Sequence, residues 1–198
     1  GGVSVGEPEE LILPGVEITM YPAGHIAGAA CVYLTSPDGS LFYSGDVSGF
    51  AQQTIEGIAL PKLRPDVAVL ESTYGNRLHS NRNIEEQRLV SILDECVKTG
   101  KKVLIPAFAL GRSQEVILII RKAFTEKKLM DVPVYVDGMV RDMCRVYKMH
   151  PDFLKRNLAK RILKGDDPFF NDRIMAVAPR DDRHALGHGV GAVAPVQQ

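Results

Sequence analysis

Two short apolar runs of this chain end in a carboxylate. Leu41-Phe42-Tyr43 leads into Ser44-Gly45-Asp46, and Val67-Ala68-Val69-Leu70 leads into Glu71. A carboxylate at the exit of a buried strand lies at the rim of a sheet, where ligands of α/β folds bind. A third turn of small residues, Ala23-Gly24-His25-Ile26-Ala27-Gly28-Ala29-Ala30, adds an imidazole. Glycine beside such groups lets backbone come close to a metal or a phosphate. His25, Asp46 and Glu71 are therefore read together as part of a metal or acid/base site. Taken singly, His25 is a plain surface residue and Asp46 a turn or cap residue. Glu71 is harder to set aside, because a charge closing an apolar strand costs desolvation unless something pairs with it.

The flanking pattern sets the fold class. Residues 16–21 alternate apolar and polar as a half-buried strand does. Residues 30–35 and 41–43 flank Ser36-Pro37-Asp38-Gly39-Ser40, a hairpin signal. After Gly75 the rhythm changes. Asn83 with Glu86 reads as an N-terminal cap, and Leu89, Leu93, Cys96 and Val97 mark one face of a helix that ends near Gly100. Residues 102–108 form an apolar strand, Gly111 to Phe124 a helix, 132–136 a strand and 138–149 another helix. Strands alternating with helices predict parallel pairing. A basic segment, 154–164, carries Lys155, Arg156, Lys160, Arg161 and Lys164 and reads as a helix with a solvated face. Residues 176–198 have no period and read as an unstructured tail.

Composition narrows the classes. Lys plus Arg and Asp plus Glu both number 24 in 198 residues, so no global field draws the chain to nucleic acid; a local patch or a metal would have to. Three scattered cysteines, Cys31, Cys96 and Cys144, argue against a disulfide framework and for a reducing compartment, here the cytoplasm. No apolar run reaches membrane-spanning length. Arg112 lies at a helix start beside Gly111, where free backbone N–H groups and a cation suit a phosphate. With Ser113 beside it, and with His79 after the Glu71 turn, it is a substrate-binding candidate.

Four motifs occur in register: Ala-Gly-His-Ile-Ala-Gly-Ala-Ala, Tyr-Ser-Gly-Asp, Glu-Ser-Thr-Tyr-Gly-Asn-Arg and Ile-Pro-Ala-Phe-Ala-Leu-Gly-Arg-Ser-Gln-Glu. Together, from about residue 7 to 173, they resemble the β-CASP branch of the metallo-β-lactamase fold, which includes RNA-processing nucleases similar to the endonuclease subunit of the cleavage and polyadenylation specificity factor. The resemblance implies part of an αββα sandwich over 1–75 and part of a β-CASP domain over 76–175, with a mainly parallel sheet flanked by helices. It implies a zinc-dependent ribonuclease with two zinc ions. His25 would ligate one zinc, Asp46 would bridge both, and Glu71 would be the acidic group supporting proton transfer. RNA would be the substrate, with a homodimer or a processing-complex subunit as the setting. The family's His-x-His-x-Asp-His motif and its later histidine motifs are not in this sequence. The chain is therefore expected to be a fragment, inactive alone, with the apolar face of strands 16–21, 30–35 and 67–70 open to water. The rival reading is a non-catalytic β-CASP RNA-binding or scaffold subunit; a small-substrate hydrolase of the same metal fold is a third.

Overall fold

A computed structural model describes residues 6, 9–10, 14–178 and 190–194, with backbone alone for 9–10 and 190–194. It is mixed α/β and divides into two compact units, 1–78 and 79–198.

The first unit is one five-stranded sheet whose spatial order is the chain order: β1 (Glu9–Glu10), β2 (Glu17–Pro22), β3 (Ala30–Ser36), β4 (Gly39–Tyr43) and β5 (Val67–Val69). β1 to β4 pair antiparallel. β3 and β4 form the expected hairpin, Ser36 opposite Gly39, and the Ser36 hydroxyl closes it by donating to the Gly39 carbonyl at 3.1 Å. β5 returns parallel to β4. Asp66 starts it, its Oδ2 accepting from the Ser40 N–H at 2.8 Å and the Ser40 hydroxyl at 2.7 Å. Ala23, Cys31 and Phe42 form the core, with Tyr21, Tyr33, Val47, Ile58 and Leu63 packed on it. The expected open apolar surface is found along β5, where Val67, Val69 and Leu70 are exposed, whereas β2 and β3 are largely half-buried.

The second unit alternates helices and strands: α1 (Arg82–Lys98), β6 (Ile105–Pro106), α2 (Arg112–Thr125), β7 (Val134–Val136), α3 (Val140–Met149), a 3₁₀ turn (Pro151–Phe153), α4 (Arg156–Leu163), β8 (Ile174–Ala176) and β9 (Val190–Ala194). Every strand pair here is parallel, as the alternation predicts. α2 is the central helix: Ile117, Leu118, Ile119, Ile120, Ala123 and Phe124 are all buried. Three boundaries differ from expectation. The N-cap of α1 is Asn81, whose side chain accepts from the Asn83 N–H at 3.0 Å, not Asn83 itself. The 102–108 strand shrinks to two residues, and its second, Pro106, has no N–H to give a ladder. The stretch read as an unstructured tail begins inside β8 and contains β9, which lies between β6 and β7. That pairing is set by two distant neighbours, which no local period can reveal. Residues 179–189 and 195–198 of that stretch lie outside the described residues.

Candidate active site

Four segments of the first unit are stitched into one rim. After β2 the chain turns through residues 23–29, closed by the Ala23 N–H donating to the Ala29 carbonyl at 2.8 Å. Gly24 has φ of +72° and touches the 48–58 loop so closely that a Cβ would come within 2.3 Å of the Ile58 nitrogen. Only glycine fits there, which places the peptide of His25 directly on that loop. Buried Gln52 completes the seam: its Nε2 donates to the Gly24 carbonyl at 3.0 Å and the His25 carbonyl at 2.7 Å. Ser48 adds a bond from its N–H to the Ala23 carbonyl at 3.0 Å.

Asp46 follows β4 through a left-handed Gly45 and is exposed. The preceding Ser44 is buried and ties β4 to the Glu71 segment: its N–H donates to the Val69 carbonyl at 3.0 Å, and its hydroxyl accepts from the Glu71 N–H at 2.9 Å. The Glu71 carboxylate accepts from the Thr73 N–H at 2.9 Å. Its pKa is held below the ordinary carboxylate value first by the Thr73 N–H and hydroxyl, then by the Val47 N–H and the charge of His25. The contact with Val47 puts Glu71 against the residue next to Asp46, and the His25 influence brings in the third member. The turns that carry His25, Asp46 and Glu71 are thus linked through backbone and through Ser44 and Gln52, while no hydrogen bond or ion pair among the described residues joins the three side chains to one another.

The rim falls short of a complete metal site. Among the described residues no group of three or more His, Cys, Asp or Glu side chains gathers closely enough to hold a metal ion. Cysteine offers no ligand either. Cys31 is buried and its pKa is raised by burial; burial also pushes the Cys144 thiol up to about 12. The donor set present does not by itself fit a zinc centre.

The other three candidates belong to the second unit. Arg112 is exposed at the first position of α2. Ser113 is fully buried, and its hydroxyl donates to the Phe108 carbonyl at 2.6 Å, so its side chain is committed within the protein. His79 is exposed in the segment before α1. Gln114, not singled out from sequence, is the organiser of this loop. It is buried, accepts from the Gly111 N–H at 2.7 Å, and donates to the Ala109 carbonyl at 3.0 Å and the Cys144 sulfur at 3.4 Å. Glu115, in the first turn of α2, is 3% exposed and meets the Arg82 guanidinium at 3.0 Å. A glutamine three residues past a glycine N-cap was the available signal for the first; nothing local signalled the second.

Residues 113–192 match the Beta-Casp domain. The transcription termination factor FttA of Methanothermobacter thermautotrophicus is 32% identical over 183 residues, covering 90% of this chain and 29% of that protein. The FttA of Pyrococcus abyssi is 33% identical over 180 residues, 88% of this chain and 28% of its own length. An RNase J-like protein of Methanocaldococcus jannaschii is 33% identical over 163 residues, 81% of this chain and 39% of its own. The chain thus spans well under half the length of these relatives.

Proposed function

We propose that the chain belongs to the β-CASP branch of the metallo-β-lactamase fold superfamily, on the Beta-Casp match over residues 113–192 and the likeness to the FttA and RNase J-like proteins, and that it is part of a ribonuclease acting on RNA phosphodiester bonds in RNA processing or decay. The names of its relatives, a transcription termination factor and an RNase J-like protein, both point to RNA as the partner. The observation that carries the reading is the seam that ties the three turns together: the Glu71 N–H donates to the Ser44 hydroxyl at 2.9 Å beside Asp46's turn, and Gln52 holds the His25 carbonyl at 2.7 Å.

An ionised, partly exposed carboxylate with fixed hydrogen bonds can orient a neighbouring acid or accept a proton at a reacting oxygen. Asp46 is exposed, where its carboxylate can meet a cation. Zinc enters the proposal as an ion that His25 and Asp46 help hold together with ligands beyond the described residues. The cytoplasm is the compartment we assign, on the three free cysteines, and a homodimer or processing-complex subunit is the assembly. Among the described residues no helix is long and apolar enough to cross a membrane.

A non-catalytic β-CASP RNA-binding subunit is the second reading, favoured by the incomplete donor set. Cleavage of labelled RNA by the full-length protein separates the two. Asp46→Asn and Glu71→Gln are each expected to lower kcat/KM by about 100-fold or more while RNA affinity is kept. Cleavage unaffected by both changes, or surviving exhaustive zinc removal, sinks the nuclease reading.

A further inference from the structure

Several cations on the other helices of the second unit are matched by acids, although Arg145 of α3 is exposed and meets no carboxylate among the described residues. Arg82 pairs with Glu86, Lys98 with Asp94 and Lys122 with Glu126, each four residues apart. α4 is built differently. Residues 154–165 hold five cations and no acid, in a chain whose charges balance as a whole. Arg161 turns to Asp166, at 2.7 Å. Arg156, Lys160 and Lys164 are exposed and meet no carboxylate among the described residues.

Their spacing places these three on one side of the helix at about 6 Å per step. Leu158, half a turn away, is buried. Like charges four apart work against a helix, so packing and helix stability do not account for the stripe. Lys164 at the C-terminal end complements the helix dipole, but Arg156 at the N-terminal end opposes it. At the head of α4, Phe153 is 49% exposed, with His150 edge-on at 6.4 Å between ring centroids. A row of cations beside an exposed ring suits a single nucleic-acid strand, whose phosphates take the cations and whose bases stack.

We propose that this face of α4 is a contact strip for single-stranded RNA, with Arg156, Lys160 and Lys164 meeting phosphates along one strand and Phe153 stacking on a base. The strip rests on the RNA reading above and adds residues that do not belong to the His25, Asp46 and Glu71 turns. It is polyanion recognition without base specificity, so it serves any RNA sequence.

The test uses the full-length protein and a fluorescent oligouridylate of about 20 nucleotides, with affinity measured across a salt series. The triple variant Arg156→Glu, Lys160→Glu, Lys164→Glu is expected to bind on the order of ten-fold more weakly, with a salt slope shallower by about 2, since each lost phosphate contact on a single strand removes about 0.7. Phe153→Ala should weaken binding several-fold and leave the slope alone. Lys101→Glu, Lys102→Glu, Lys127→Glu makes the same charge change at other exposed positions and should bind like the parent. The conservative pair Lys160→Arg, Lys164→Arg should also bind like the parent, which separates charge loss from misfolding. If the parent binds and the two triple variants behave alike, the strip is overturned and the RNA reading stands. A triple variant that loses binding to phosphatidylserine vesicles but not to RNA overturns it too. A parent protein that binds no RNA overturns both.

Discussion

At the residue scale, the rim is held by groups that have little chemistry of their own. Gly24 admits the close approach, Gln52 satisfies two loop carbonyls, and Ser44 joins β4 to the Glu71 backbone. Glu71 was legible because a carboxylate closing an apolar run needs partners. Its partners were not, since Thr73 is local but Val47 and His25 are brought up only by the sheet. Hydrogen bonds to the ionised form put its folded pKa below its unfolded value, about 4.3. Its contribution to stability is therefore present above that unfolded value and is lost as pH falls through the folded one. Denaturant midpoints of the parent should drop between pH 7 and about 3.5, and Glu71→Gln should narrow that drop. An identical drop in both proteins would refute the assignment.

At the scale of elements, α1 and α2 are joined by an ion pair that no local pattern announces. Arg82, in the first turn of α1, reaches both Glu86 at 3.2 Å and Glu115 of α2 at 3.0 Å. Glu115 is almost wholly buried, and removing its cation leaves a carboxylate in a poor solvent. Arg82→Ala should cost about 2 kcal/mol, the lower part of the range for a broken buried pair because Arg82 is one-third exposed. Adding Glu115→Gln should recover part of that loss, read by urea denaturation. Apolar spacing had identified the buried side of α1 through Leu93 and Val97. Its cap was misplaced by two residues because Asn81 and Asn83 are both good caps, and the choice depends on which side chain meets which N–H. Strand alternation likewise announced the parallel sheet, while β9 escaped because a glycine- and alanine-rich strand is recognisable only by its neighbours.

Across the molecule, the first unit ends in an edge. Among the described residues β5 pairs with β4 alone, and Val67, Val69 and Leu70 are exposed along and just beyond it, Leu70 at 65%. An unprotected apolar edge is a template for association. Val69→Lys with Leu70→Lys should raise the concentration at which the chain begins to scatter light and leave its circular dichroism unchanged. Scattering at the same concentration would show that association uses another surface.

The amino-acid sequence by itself determined β2 to β5, the helix faces and the hairpin turn, because alternation, helical spacing and glycine turns are local patterns. Only the tertiary structure decided which backbone groups hold Glu71, which cation accompanies Glu115, that Ser113 turns inward, and where β9 inserts. Each of those depends on side chains or strands far apart in the chain, and their encounter is set by packing rather than by any short stretch.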